Sequence, residues 1–121
     1  MKLLFTGASG FLGRNIYQLL EKTYVIKTVG LTPQDDYKID IARNIPVLEV
    51  FDIVLHAAGK AHSIPKTGEE KQLFFDVNLQ GTKNLCTALE NSGIPKAFIF
   101  ISTVAVYGCD SGENITEEHP L

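Results

Sequence analysis

Gly7, Gly10 and Gly13 stand between a short apolar run, Leu3-Leu4-Phe5, and a segment with helical periodicity at Phe11, Leu12, Ile16, Leu19 and Leu20. The order is therefore strand, tight turn, helix. Glycine has no side chain to hold a backbone away from a ligand, so the first turn of such a helix presents bare N–H groups to an anion. A pyrophosphate fits there, with Phe11 and Leu12 supplying N–H groups at the helix start. In a turn of this kind one glycine makes the bend, one admits the phosphates and one lets the helix pack on its strand.

Bulk properties narrow the classes of function. A chain of 121 residues is one domain, near the lower end for a doubly wound sheet. The net charge is −3 and the 11 basic residues are scattered, which gives no footprint for nucleic acid or an anionic membrane. Cys86 and Cys109 lack CxxC spacing, so reduced thiols are expected rather than a disulfide framework or zinc site. No apolar run approaches the roughly 20 residues of a spanning helix, and the first residues enter a strand directly. The expectation is a soluble cytoplasmic protein.

Along the chain, Tyr24-Val25-Ile26-Lys27-Thr28-Val29-Gly30 reads as a second strand. An acidic residue about 20 positions past the glycines would hydrogen-bond an adenosine ribose, whereas a basic one would favour NADP. Gly30-Leu31-Thr32 offers neither, and Asp35 and Asp36 reach the place only if their loop folds back. No arginine is placed for a 2′-phosphate, so NAD is favoured and NADP stays open. Asp36 to Ile41 alternates and reads as a third strand, with Asp40 either capping a turn or meeting a ligand. Asn44 to Phe51, containing Pro46, reads as one or two helical turns.

Asp52-Ile53-Val54-Leu55-His56 is a buried strand ending in Ala57-Ala58-Gly59-Lys60, where small residues let a flat ligand lie against the backbone. His56 is expected to be a hydrogen-bonded histidine at the strand end, and His62 an exposed loop residue. From about Lys71 a helical stripe runs through Phe74, Val77, Asn78, Gly81, Leu85, Ala88 and Leu89. On that stripe Asn78 needs hydrogen-bond partners, and Gly81, which costs about 1 kcal/mol relative to alanine, implies close backbone packing. Asn91-Ser92-Gly93 ends the helix, and Ala97 to Ile101 is a further apolar strand leading into Ser102-Thr103-Val104-Ala105-Val106-Tyr107-Gly108.

Four stretches share a resemblance. Thr6-Gly7-x-x-Gly10-x-x-Gly13, with Gly10-Phe11-Leu12-Gly13, resembles the extended branch of the short-chain dehydrogenases, which contains the NAD-dependent sugar-nucleotide epimerases and dehydratases. Val54-Leu55-His56-Ala57-Ala58-Gly59 is similar to that branch's His-x-Ala-Ala or His-x-Ala-Gly signature, and Val77-Asn78-Leu79-Gln80-Gly81-Thr82-Lys83-Asn84-Leu85 to its Val-Asn-x-x-Gly-Thr-x-Asn-Leu helix. Ser102 to Gly108 resembles its Ser-Ser/Thr-x-x-Val-Tyr-Gly motif.

The resemblance implies an α/β Rossmann-type doubly wound parallel sheet of strand order 3-2-1-4-5, and a nucleotide-sugar substrate. It implies that Gly7, Gly10 and Gly13 hold the pyrophosphate and that Asp40, paired with Ile41, contacts adenine. Ala57, Ala58 and Gly59 would flank the ribose, Lys60 would reach cofactor or substrate, and Asn78 would order the site from behind the sheet. Thr103 would be the catalytic hydroxyl, donating to or accepting from the substrate oxygen, with Ser102 beside it. Tyr107 belongs to the turn.

The family's oxidation step also needs a Tyr-x-x-x-Lys pair. Tyr17, Tyr24, Tyr37 and Tyr107 have Glu21, Thr28, Ile41 and Ser111 four residues on, so none qualifies. The chain is expected to be the front part of the fold, inactive alone; the rival expectation is a non-catalytic dinucleotide-binding or interaction module. Strand 97–101 would then be an apolar edge and invite a homo-oligomer.

Overall fold

The computed structural model describes residues 1–59, 65–102 and 112–120. Its elements are β1 (Lys2–Thr6), α1 (Phe11–Leu20), β2 (Val25–Gly30), β3 (Tyr37–Lys38), β4 (Ile53–His56), α2 (Gly68–Phe75), α3 (Gly81–Ser92) and β5 (Ala97–Phe100). A π-turn, Asp76–Gln80, joins α2 to α3. The strands form one parallel sheet in the order β3-β2-β1-β4-β5, the Rossmann-type arrangement expected.

β1 lies at the centre because its apolar run is covered on both faces. Leu4 points to a core with Val29, Phe51, Val54, Leu85, Ala88 and Leu89, so α3 closes that side. Leu3 and Phe5 point the other way, to Leu55 and the α1 residues Ile16, Tyr17 and Leu20. Asp52 aligns three strands at their starts. Its carboxylate accepts the Lys2 N–H at 2.8 Å and pairs with Lys96 Nζ at 3.4 Å, while its C=O accepts the Lys96 N–H at 2.8 Å. The Lys2 N–H bond holds the Asp52 carboxyl below the usual carboxylate range.

Expectations for three segments are corrected. Residues 44–51 form no helical turns but an irregular strap, in which Pro46, Leu48 and Phe51 are buried while Val47 is 93% exposed. Pro46 lacks the N–H a helix interior needs, and this in-and-out pattern suits an extended chain. The third strand is only Tyr37–Lys38, paired with Val29 and Gly30, because the chain turns at Asp40.

The helix begins earlier than expected, at an N-cap made by Thr67, whose hydroxyl accepts the Glu70 N–H at 3.1 Å. It is also not continuous. Gly81 donates to the Asp76 carbonyl five residues back, which inserts one residue into the helical phase. At 3.6 residues per turn that is a rotation of about 100°, so the residues before and after Gly81 do not share a stripe. Asn78 is accordingly exposed, and the buried asparagine is Asn84, which donates to the Ile41 carbonyl at 2.7 Å and accepts from Gln80 at 2.9 Å. The close backbone packing expected at Gly81 is not found: the residue is buried, but a Cβ there would lie 3.4 Å from the Ile41 side chain and 3.7 Å from the Ala42 nitrogen, ordinary van der Waals distances.

Candidate functional site

A cleft of about 310 Å³ opens at the carboxyl ends of β1, β2 and β4. Gly7 and Gly10 form one wall, Gly30 and the Asp40–Ala42 turn a second, and Ala57, Ala58 and Gly59 the third, with Val77 of the π-turn closing the side. This is the crevice in which open parallel sheets bind ligands.

The three glycines divide the work of the turn. Gly7 has φ +79°, and a Cβ on it would stand 2.6 Å from the Ala57 carbonyl carbon and the Ala58 nitrogen. It therefore serves the bend and the approach of the turn to β4. A Cβ on Gly13 would overlap the Ala8 backbone, so this glycine seats α1 on the turn. Gly10 differs: a Cβ there would meet only the Gly7 carbonyl, at 3.3 Å, and the residue faces the cleft. The helical ladder begins with the Arg14 N–H on the Gly10 carbonyl at 3.0 Å. The N–H groups of Phe11, Leu12 and Gly13 precede it, as at any helix start, and point with the positive end of the helix dipole.

At the second wall, Asp40 both lines the cleft and caps its turn. Its Oδ1 accepts the Ala42 N–H at 3.0 Å and its Oδ2 pairs with Arg43 at 3.7 Å, while Ile41 lies beside it in the lining. The β2–β3 loop does fold back. Asp35 Oδ2 accepts the Thr32 N–H at 2.9 Å and the Thr32 hydroxyl at 2.7 Å, and its carboxylate occupies the space a Gly30 side chain would take. Asp36 accepts the Thr28 N–H at 2.8 Å, so two carboxylates stand near the end of β2. They line a second hollow against Tyr17, whose phenol is pushed up by burial and by the charges of Glu21 and Asp36.

The third wall is backed by His56. Its ring is 1% exposed, between Phe98 and Phe100 of β5 at centroid distances of 6.1 and 5.6 Å. Nδ1 lies 2.6 Å from Thr6 Oγ1 and Nε2 lies 2.8 Å from Thr82 Oγ1. Burial lowers the imidazole pKa to about 4, so His56 is neutral near pH 7. It is the hydrogen-bonded strand-end histidine expected from the sequence. The residues that hold it, Thr6 and Thr82, escaped sequence reasoning, although both sit within the motifs quoted above.

Asn78 is brought to the site from the π-turn, because a Cβ on Gly59 would lie 3.2 Å from its Oδ1. The structure thus gathers Gly7, Gly10, Asp40, Ile41, Ala57, Ala58 and Gly59 around one cleft, with Phe11, Leu12 and Gly13 at the adjoining helix start. Lys60 and Thr103 lie outside the described residues. Among the described residues no cluster of histidine, cysteine and acidic groups could hold a metal ion, and no helix is long and apolar enough to cross a membrane.

The model of a family described as NAD dependent epimerase/dehydratase matches residues 3–121. Over 98% of its length the chain is 35% identical to an N-acetyl-alpha-D-glucosaminyl-diphospho-ditrans,octacis-undecaprenol 4-epimerase of Escherichia coli O157:H7, covering 37% of that protein. It is 32% identical to a UDP-glucose 4-epimerase of Vibrio cholerae, over 88% of this chain and 36% of that one. Among solved structures, a mutant UDP-glucuronic acid 4-epimerase from Bacillus cereus, in complex with UDP-4-deoxy-4-fluoro-glucuronic acid and NAD, superimposes with a TM-score of 0.76. It is 28% identical, over 98% of this chain and 45% of that one. The chain therefore spans little more than a third of the length of these curated relatives.

Proposed function

The chain belongs to the NAD dependent epimerase/dehydratase family, and on that premise we propose that it forms the dinucleotide-binding part of an enzyme acting on a nucleotide-linked sugar. The observation that carries this reading is the cradle at Gly10, where a side chain would meet only the Gly7 carbonyl within 4 Å and would stand in the cleft. The N–H groups of Phe11, Leu12 and Gly13 would hold the pyrophosphate. Asp40 would face the adenine end, and Ala57, Ala58 and Gly59 would flank the ribose. NAD, when bound, supplies a hydride acceptor and later a donor. The chain's own residues bind it and orient it against the sheet.

Thr103 is assigned the hydroxyl that hydrogen-bonds the reacting sugar oxygen, and Lys60 a contact to cofactor or substrate, both by their places in the family motifs. The polypeptide contains no Tyr-x-x-x-Lys pair, so the proton transfer of the oxidation has no base here and the isolated chain binds without turning over. That supports a second reading, a non-catalytic dinucleotide-binding module. NADP is disfavoured by Asp35 and Asp36, whose carboxylates stand near the end of β2. The cytoplasm is the compartment that the unpaired spacing of Cys86 and Cys109 supports. A homo-oligomer across β5 is part of the same reading, since Phe98, Ile99 and Phe100 are exposed on a strand paired only to β4 among the described residues.

Titration of the chain with NAD, followed by calorimetry, tests the reading. Saturable binding that Gly10→Val abolishes is the expected result. Absence of binding, or binding indifferent to that substitution, overturns the pyrophosphate site.

A further inference from the structure

Four hydrogen bonds behind the third wall of the cleft form one chain, and each proton in it has a single assignment. The Ala58 N–H donates to Thr6 Oγ1 at 3.1 Å, and Thr6 Oγ1 lies 2.6 Å from His56 Nδ1. On the other side of the ring, His56 Nε2 lies 2.8 Å from Thr82 Oγ1, which donates to the Asn78 carbonyl at 2.9 Å. A threonine hydroxyl has one proton. Because Thr82 spends its proton on Asn78, it accepts from His56, and Nε2 must carry the hydrogen. Nδ1 is then the acceptor for the Thr6 hydroxyl. Reversing the chain would leave Thr82 Oγ1 and the Asn78 oxygen facing each other with no proton between them. Five groups are thus ordered in one direction, from the strand end to the π-turn.

Both ends of this chain are cleft walls. Ala58 lines the cleft from just past the end of β4, and Val77, the neighbour of Asn78, lines it from the π-turn. Gly59 and the Asn78 side chain meet at the seam between them. We propose that His56 is a positioning residue which, through its Nε2–H tautomer, ties the strand-end wall to the π-turn wall and so fixes the width of the dinucleotide cleft. The proposal rests on the dinucleotide reading for its effect on binding. His56 is not among the residues that line the cleft, and it acts through Thr6 and Thr82. The aromatic walls from Phe98 and Phe100 keep the ring dry, which makes each bond in the chain costly to lose.

The test uses Thr82→Val, which keeps the shape and removes the hydroxyl, and Thr82→Ser, which keeps the hydroxyl. Nitrogen-15 NMR of the wild-type chain should show His56 as the Nε2–H tautomer. The Nδ1–H tautomer, or an averaged signal, overturns the proposal. Thr82→Val should speed amide exchange across residues 76–81 and weaken NAD binding about 3- to 10-fold, the loss of one or two hydrogen bonds. Thr82→Ser should restore both to within about twofold of wild type. A valine variant with unchanged NAD affinity would reduce the chain to packing and overturn the positioning role. Should wild-type chain bind no NAD at all, the dinucleotide reading falls, while the tautomer and the exchange rates still decide whether His56 ties the two walls.

Discussion

Thr6 and His56 are register partners on the neighbouring parallel strands β1 and β4, and their side chains meet at 2.6 Å in the interior of the sheet. Burial of that ring keeps it neutral and gives folding a pH dependence. Above pH 6.5 the ring is neutral in both the folded and the unfolded chain, and its contribution is fully present. As pH falls below 6.5 the unfolded chain takes up a proton that the folded chain refuses until about pH 4. Stability therefore declines through that window, by on the order of 3 kcal/mol from this group. The His56 ring signals, followed by NMR against pH, should titrate near 4. A midpoint at the free-histidine value would sink the assignment.

Gly7 and Gly10 are predicted to separate stability from binding. Alanine at Gly7 would put a Cβ 2.6 Å from the Ala57 backbone at φ +79°, which should cost about 3 kcal/mol in urea unfolding. Valine at Gly10 meets no such backbone obstacle. It should leave the urea midpoint within about 1 kcal/mol of wild type and remove NAD binding. The reverse pattern, with Gly10 the structural position, would contradict the division of roles among the turn glycines.

The turn and the sheet were legible in the sequence because both depend on local patterns: glycine spacing after an apolar run, then buried strands between helical segments. What escaped depends on contacts distant in sequence or on a single residue of phase. Thr6 is 50 positions from His56 and Thr82 is 26, so no periodicity links them. The π-turn keeps apolar residues at spacings of three and four while rotating them apart, which put Asn78 in the core on paper and Asn84 there in fact. At residues 44–51 brevity suggested a helical turn, yet burial of Pro46 and Leu48 two positions apart decided for extended chain. The position of Asp35 could not be read either, because a loop after proline leaves its direction open. The structure settled it through two bonds to Thr32.

Asp35 should govern the choice between the two nicotinamide dinucleotides. Its carboxylate fills the space beside Gly30 at the end of β2, and Asp36 adds a second negative charge, so a 2′-phosphate there meets repulsion. Wild-type chain is expected to bind NAD at least about 10-fold more tightly than NADP. Asp35→Asn, which retains an oxygen to accept the Thr32 N–H, should narrow that ratio several-fold. Equal affinities in wild type would remove Asp35 from the site.

Strand β5 carries Phe98, Ile99 and Phe100 exposed, and its outer edge has no partner strand among the described residues. Apolar edges of this kind pair with other chains unless a charge interrupts them. The chain should sediment as a dimer or larger species at micromolar concentration, and Ile99→Lys should shift it toward monomer without altering the far-ultraviolet spectrum. A wild-type monomer across that range would rule out association through β5.

The last expectation concerns chemistry. A hydroxyl such as that of Thr103 can polarise a sugar oxygen, but removing the alcohol proton as hydride departs needs a base matched to neutral pH. Among buried groups His56 is kept neutral and both its nitrogens are already engaged by Thr6 and Thr82. No tyrosine in the chain has a lysine four residues on. The pure 121-residue polypeptide, saturated with NAD and given UDP-glucose, should therefore yield neither reduced cofactor nor epimerised sugar. Absorbance at the reduced-nicotinamide band and chromatography of the sugar would read this directly. Turnover that disappears in Thr103→Val would show that the chain holds a base of its own, and would refute the claim that the isolated polypeptide only binds.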